Sequence, residues 1–117
     1  MSPLPDAVRA GLGGAAPLFA ALGDETRLRI VARLCKEGPL PIVGLADGAH
    51  VTRQAVTKHL RALAGAGLVR SRVSRGRARQ RVWELDPRGF AEARRYLERI
   101  AAQWDGALLR LKDFVEE

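Results

Sequence analysis

Side chains that donate several hydrogen bonds are concentrated between residues 52 and 61. If this segment is helical, Val56, Leu60 and Leu63 share one face, and the outer face carries Arg53, Gln54, Thr57, Lys58 and Arg61. Arginine and lysine donate to the O6 and N7 atoms of guanine, glutamine brackets adenine, and threonine contacts a thymine methyl or a phosphate. The N-terminus of such a helix also favours a phosphate. The outer face therefore predicts contact with duplex DNA.

A second basic cluster follows this segment and contains arginine but no lysine: Arg70, Arg72, Arg75, Arg77, Arg79 and Arg81. A narrow minor groove concentrates negative potential and attracts arginine in particular. Arg75, Arg77 and Arg79 are the candidates for minor-groove or phosphate contact, whereas Arg70 and Arg72 are expected to meet phosphate or solvent. No aromatic side chain alternates with these arginines, which argues against a single-strand stacking platform or a sheet-type RNA-binding module.

The net charge of the chain is confined to one region. The 117 residues include 20 Lys or Arg and 13 Asp or Glu, a formal charge of +7. Residues 51–85 hold nine basic side chains and one acidic one, net +8, whereas residues 1–50 are neutral and residues 86–117 carry −1. Such a local field attracts a polyanion, which releases counterions when it binds.

The spacing of apolar residues and the helix-breaking residues indicate which elements carry these clusters. Four helices are predicted in the first part of the chain: Ala15–Leu22, a second from the capping residue Asp24 to Gly38, Ile42–Ala46, and a fourth from Thr52 to about Gly65. Asp47 and Gly48 are expected to break the third helix. Thr52 is a good N-cap for the fourth.

From residue 68 onward the period changes from helical spacing to alternation. Two short strands, the first with Val69, Ser71 and Val73 on one side and the second with Arg81, Trp83 and Leu85 on one side, surround a loop at 74–78 and predict a β-hairpin. Pro87 then opens a long helix over about 88–115. The fold class is mainly α with a small β-hairpin wing.

This order of elements is that of a winged helix-turn-helix with a long C-terminal dimerisation helix. We divide the chain into a flexible lead or short helix at 1–14, a DNA-binding domain at 15–86 and a dimerisation helix at 87–117.

The terminal helix carries an unbroken heptad pattern. Apolar residues recur at alternating steps of three and four: Phe90, Ala93, Leu97, Ile100, Trp104, Ala107, Leu111 and Phe114. We call this set the α5 seam, α5 being the fifth predicted helix, over about 88–115. A helix of this length has more apolar surface than a small domain can cover, so we expect a homodimer held by Leu97, Ile100, Trp104 and Leu111. The alternative is that the helix belongs to the core of a monomer.

The sequence contains few residues that could act in catalysis or bind a metal ion. Cys35 is the single cysteine, which excludes a disulfide within the chain, and it shares an apolar helix stripe with Leu28 and Leu34, so we expect it to be buried. His50 and His59 are the two histidines, and no zinc-ligand spacing, HExxH, GxSxG or phosphate-binding glycine loop is present. We expect no enzyme, metal site or cofactor.

No apolar run is long enough to span a membrane, and a cytoplasmic protein is expected.

Several of these segments resemble the ArsR family of bacterial winged-helix repressors. The similar segments are Leu22–Val31 (LGDETRLRIV), Val56–Leu63 (VTKHLRAL), Ala66–Val69 (AGLV), and the region from Gly76 to Leu85, which ends in Trp83-Glu84-Leu85. The resemblance implies a homodimer that represses its own or a neighbouring operon until a signal releases it. It also implies that Thr52, Gln54 and Thr57 face DNA and that Arg27 is structural.

One departure from the family bears on the signal. Metal-sensing members carry Cys-x-Cys in the third helix, where this chain has Pro41-Ile42-Val43, and its terminal helix contains no histidine. The resemblance thus points to a member that does not sense metals at those positions. The operator, the regulated genes, the sign of regulation and the effector, whether small molecule or protein, stay open.

Two other functions are weighed against a DNA-binding regulator. A winged-helix interaction module would use the same hairpin on an acidic protein partner. A nucleic-acid enzyme would need paired acids near the basic face, and Glu84 is the single acid between residues 51 and 85. Binding of duplex DNA that falls steeply with salt would favour the regulator.

Overall fold

The computed structural model describes residues 15–76 and 79–116, so the lead expected at 1–14 lies outside the described residues. Five helices and one hairpin follow in the order α1 (Ala15–Leu22), α2 (Glu25–Glu37), α3 (Ile42–Ala49), α4 (Arg53–Gly65), β1 (Val69–Ser74), β2 (Gln80–Leu85) and α5 (Pro87–Glu116). The predicted mainly helical fold with a two-stranded wing and a long last helix is confirmed.

The capping residues predicted from sequence form the expected contacts. The Asp24 carboxylate accepts from the backbone N–H of Arg27 at 3.0 Å, and the Thr52 hydroxyl accepts from that of Ala55 at 3.1 Å. Each contact satisfies a backbone donor that the first helical turn leaves unpaired. Gly38 ends α2 with φ of 83°, a conformation that glycine adopts without steric cost.

The predicted end of α3 at Ala46 is wrong. The helix continues through Asp47 and Gly48 to Ala49, and His50 caps its end with φ of 54°. Arg33 of α2 accounts for this extension, because its guanidinium donates to the carbonyl oxygens of Gly44 at 2.9 Å and Leu45 at 3.2 Å. The missing side chain at Gly48 leaves room for that guanidinium, which a Cβ there would meet at 2.4 Å.

The hydrophobic core lies where α1 to α4 meet the hairpin and the start of α5. Its largest fully buried side chains are Ile30, Leu45, Val56, Leu60, Leu63 and Leu68. Burying each such side chain contributes about 1.5–3 kcal/mol. Since three of the six belong to α4, that helix is firmly attached along one face.

Two residues of α2 lie elsewhere than expected. Cys35 is exposed and Leu28 is 50% exposed, so the prediction of a buried Cys35 is wrong. The buried stripe of α2 passes instead through Ile30 and Leu34. At 100° per residue, Cys35 and Leu28 point about 100–160° away from these two core positions.

The hairpin is antiparallel and is joined to the helices by a single bridge. Val69 pairs with Leu85, Ser71 with Trp83, and Val73 with Arg81, so each predicted side of the two strands is confirmed. Leu40, between α2 and α3, exchanges backbone hydrogen bonds with Trp83 at 2.8 and 3.0 Å. The wing therefore has a fixed position relative to the helix-turn-helix.

Asp86 joins the wing to α5. It is buried, its backbone N–H donates to the carbonyl of Leu68 at 2.8 Å, and its carboxylate accepts from the backbone and guanidinium of Arg88. The hydrogen bonds from Arg88 hold the pKa of Asp86 below its usual value. The carboxylate therefore remains ionised at neutral pH at the positive N-terminus of α5.

The first turn of α5 touches the chain that leaves α4. A Cβ at Gly89 would lie 2.1 Å from the carbonyl oxygen of Gly67, so the backbone would have to move. We expect Gly89→Ala to lower the free energy of unfolding by about 1–3 kcal/mol. Gly65→Ala is the matched control, since nothing lies near its Cβ and alanine favours a helix. Urea unfolding of both variants checks this, and equal stability for the two would show that the contact is not close.

Candidate nucleic-acid interface

The outer face of α4 carries the donor side chains predicted to contact DNA. Val56, Leu60 and Leu63 are fully buried and fix the inner face of the helix. On the opposite face one shallow groove is lined by Arg53, Gln54, Thr57, Lys58 and Arg61. We call it the α4 groove. The structure thus brings five of the predicted residues together on one surface, and Thr52 caps the helix at its edge.

Hydrogen bonds within α4 determine which donor and acceptor groups of Thr52 and Thr57 remain available to a ligand. The hydroxyl of Thr57 donates to the backbone carbonyl of Arg53 at 2.8 Å, and the hydroxyl of Thr52 accepts from Ala55. Thr57 therefore presents its methyl group and oxygen lone pairs, whereas Thr52 retains its hydroxyl proton for an outside acceptor such as a phosphate oxygen.

The two arginines in the lower part of the wing are paired with acids of the same chain. Arg72 forms an ion pair with Glu84 across the strands, and Arg70 lies 3.7 Å from Glu84 and 4.0 Å from Asp86. These contacts compensate part of their positive charge. Their expected contact with phosphate or solvent is thus replaced in part by contacts inside the protein.

The arginines further along the wing lie in a different environment. Arg75, Arg79 and Arg81 line a shallow depression with Val73, Ser74 and Gly76, and Arg81 also donates to the hydroxyl of Ser71 at 2.8 Å. Over residues 15–76 and 79–116, the carboxylates near the wing pair with Arg70, Arg72 and Arg88. We call Arg75 and Arg79 the wing tip. The third predicted tip residue, Arg77, lies outside the described residues.

Sequence reasoning missed three polar contacts around these surfaces. The pairing of Glu84 with Arg72 follows from the hairpin register, which the sequence does not specify closely. The capping role of Asp86 could have been predicted from the sequence, because an acidic residue before a helix-opening proline is a typical N-cap. The contact of His59 with Arg27 joins residues 32 positions apart and has no signal in local spacing.

Most exposed large hydrophobic side chains lie on α5. In the described residues, 15–76 and 79–116, eight of the eleven belong to this helix. Among the predicted dimerisation residues, Leu97 is 52% exposed, Ile100 43%, Trp104 63% and Leu111 58%. Only Gly89 and Ala93 of α5 are buried. The start of α5, with Phe90 and Ala93, packs against the core of the monomer, whereas the four predicted dimerisation residues lie outside that core.

In residues 15–76 and 79–116, no three side chains of His, Cys, Asp or Glu are placed to hold a metal ion. In the same part of the chain, no helix has the length and apolar character that crossing a bilayer requires.

A helix that exposes a groove of donor side chains, a shorter helix before it and a two-stranded basic wing define a winged helix-turn-helix protein. In this class the second helix of the motif enters the major groove of DNA. A helix-turn-helix domain family matches residues 22–72 of the chain.

Known proteins identify the family. The HTH-type transcriptional regulator Rv2034 of Mycobacterium tuberculosis is 44% identical over 90 residues, which cover 77% of this chain and 78% of the relative. An ArsR-like transcriptional regulator from Rhodococcus sp. RHA1 superimposes with a TM-score of 0.74 at 37% identity, over 90% of this chain and 95% of that one. The chain belongs to the ArsR family of winged helix-turn-helix transcriptional regulators.

A third protein bears on assembly. The homodimeric winged helix-turn-helix DNA-binding domain of a Mycobacterium bovis protein superimposes with a TM-score of 0.61 at 25% identity. The similarity covers 88% of this chain and 91% of that domain.

Proposed function

We propose that this protein is a homodimeric, sequence-specific repressor of its own or a neighbouring operon, acting on DNA in the cytoplasm. The observation that carries the proposal is the α4 groove, in which five donor side chains face outward on a helix anchored by three fully buried residues. The relatives are transcriptional regulators, a non-enzymatic class of protein, and we assign no catalytic residue.

The proposed division of roles follows from the chemistry of each side chain. Arg53, Gln54, Lys58 and Arg61 meet base edges or phosphates in the major groove, while Thr52 and Thr57 contact phosphate or a thymine methyl. Arg75, Arg77 and Arg79 contact the minor groove or the phosphates beside it. Residues 15–86 form the DNA-binding domain in this proposal, and residues 87–117 form the dimerisation helix.

The two halves of α5 have complementary shapes, which supports self-association. In the first half α1 lies alongside, with Phe19 and Tyr96 ring centroids 5.7 Å apart. The two helices leave an apolar groove of about 510 Å³ lined by Phe19, Leu22, Phe90, Ala93, Leu97 and Ala101, with Arg94 and Glu98 at its rim. The second half is a bare helix with exposed apolar side chains. The exposed apolar side chains of a partner's second half could fill this groove, and each protomer offers one groove and one such half.

In an antiparallel pair of α5 helices, the second half of each helix lies in the groove of the other protomer, so that both grooves are filled. The α5 seam is symmetric about residue 102, so facing residues are Phe90 with Phe114, Ala93 with Leu111, Leu97 with Ala107, and Ile100 with Trp104. In this arrangement the domains leave α5 near Phe90 and stand about 36 Å apart along the helices. That distance is about one turn of B-DNA, the usual separation of two half-sites.

Spin labels on the outer side of α5 test this arrangement. Cysteines placed singly at positions 95, 102, 109 and 116 in a Cys35→Ser background lie opposite the seam. We expect the shortest interprotomer distance at 102, equal axial separations of about 21 Å at 95 and 109, and about 42 Å at 116. Pulsed electron resonance measures these distances. Four equal distances would indicate a parallel pair, and unequal distances at 95 and 109 would indicate another register.

The reading role of the α4 groove is tested at Gln54. We expect Gln54→Ala to cost about 1–3 kcal/mol on the best site and to relax the preference at one or two base pairs, because an amide brackets a single adenine. Binding to a panel of single-base variants of that site measures this. An equal loss on every sequence would show that Gln54 only positions the helix.

A further inference from the structure

We propose that Arg27 and His59 form a positioning contact that fixes the rotation of α4 about its own axis, and with it the direction of the α4 groove. The Nε of Arg27 donates to the Nδ1 of His59 at 3.3 Å, and both side chains are partly buried. This inference rests on the reading role proposed for α4 and adds two residues that lie outside the groove.

His59 lies at a position on α4 where a contact can restrain rotation of the helix. Successive residues turn by 100°, so the buried residues Val56, Leu60 and Leu63 lie on one face and the α4 groove lies on another. His59 lies on the flank away from the groove and faces the first turn of α2. A hydrogen bond on this flank therefore adds a directional restraint on rotation to the packing of the buried face.

The two kinds of contact differ in directionality. Apolar packing on the buried face is non-directional and tolerates a small rotation, whereas a hydrogen bond weakens steeply with misalignment. With side chains about 5–6 Å from the axis, a rotation of about 10° moves their ends by about 1 Å. A displacement of that size disrupts paired hydrogen bonds to a base edge but leaves attraction to phosphates nearly unchanged.

Arg27 is itself held in place by the cap of α2. Its backbone N–H donates to the carboxylate of Asp24 at 3.0 Å, and this hydrogen bond holds the pKa of Asp24 below its usual value. The Asp24 carboxylate also lies 4.0 Å from the Nδ1 of His59. The donor to His59 thus belongs to the capped first turn of α2, which connects the orientation of α4 to that turn.

Three substitutions separate a positioning role from a merely structural one. His59→Asn keeps an acceptor two bonds from Cβ, where Nδ1 stands, whereas His59→Phe keeps a ring without an acceptor. Arg27→Met removes the donor and preserves the backbone N–H that the Asp24 cap uses. Each variant is compared with the wild type for affinity to the best site, affinity to unrelated duplex DNA, and the slope of log affinity against log salt.

We expect His59→Phe and Arg27→Met each to lower the ratio of specific to non-specific affinity about tenfold, as expected for losing a charge-assisted hydrogen bond. His59→Asn should stay within about twofold of the wild type. The double variant Arg27→Met with His59→Phe should lose no more than the worse single variant, because one contact is removed once. Non-specific affinity and the salt slope should not change.

The inference is overturned if His59→Phe and Arg27→Met retain the wild-type ratio of specific to non-specific affinity. It is also overturned if His59→Asn lowers this ratio as much as His59→Phe does. A double variant whose ratio falls by the product of the two single reductions would overturn it as well. Should His59→Phe fail to fold, Arg27→Met alone decides, since it leaves α4 unaltered. A wild-type protein without any sequence preference would instead contradict the proposed reading role, which keeps the two failures distinct.

Discussion

Replacing Leu97 and Trp104 together by glutamate is expected to give a folded monomer with about 10²- to 10⁴-fold lower affinity for a site with two half-sites. Both side chains are more than half exposed in one protomer, so its fold tolerates the change. In the proposed dimer the new carboxylates would face the apolar side chains of the partner's α5, at a cost of several kcal/mol. Sedimentation equilibrium at micromolar concentration and titration of the DNA site measure the two effects.

Leu109 provides the matched control for this double variant. It is 64% exposed and lies on the side of α5 opposite the seam, so Leu109→Glu should remain dimeric and retain DNA affinity. A double variant that stays dimeric would place the interface elsewhere, for instance on residues 7–22. A double variant that unfolds outright would assign the seam to the core of the monomer.

Replacing Arg75 and Arg79 by alanine is expected to have the second largest effect. If each contacts one phosphate, a dimer loses four contacts, and the slope of log affinity against log salt becomes less negative by about 3–4. At about 0.15 M salt that corresponds to about a thousandfold weaker binding, and the loss should be similar on all sequences. Fluorescence anisotropy of a labelled duplex at several salt concentrations gives the slope.

Arg72 is the control for charge on the same hairpin. Its guanidinium already pairs with Glu84, so Arg72→Ala should change the salt slope much less than either tip substitution. An unchanged slope in the Arg75→Ala, Arg79→Ala variant would mean that the wing tip does not touch DNA. A large change with Arg72→Ala would mean that the lower part of the wing makes the contact.

Local patterns were sufficient for most elements of this fold. Helical spacing of apolar residues with a capping Thr52 predicted α4 and its two faces, and alternation from Val69 predicted the wing. The exposed part of the α5 seam, from Leu97 onward, also followed from spacing alone, because a periodic apolar face on a long helix exceeds what a small domain covers. In each case the determining interactions lie close in sequence.

The errors and omissions share a different origin, which is contact between distant residues. Asp47 and Gly48 favour a break, but Arg33 of α2 stabilises the last turn of α3 against that preference. Cys35 has an apolar character that fits a buried stripe, yet the rotation of α2 is set by Ile30 and Leu34. The pairing of Arg27 with His59 depends on how two helices cross, which periodicity does not determine.

Selection of bound duplexes from a random DNA pool tests the central claim most directly. The 117-residue chain should enrich a two-fold symmetric site whose half-sites are centred about one helical turn apart. The Leu97→Glu, Trp104→Glu variant, selected in parallel, should enrich at most single half-sites. A pool that stays unenriched after repeated rounds at moderate salt, while the protein is folded and dimeric, would contradict a sequence-specific DNA-binding regulator and favour an acidic protein as the partner of the basic wing.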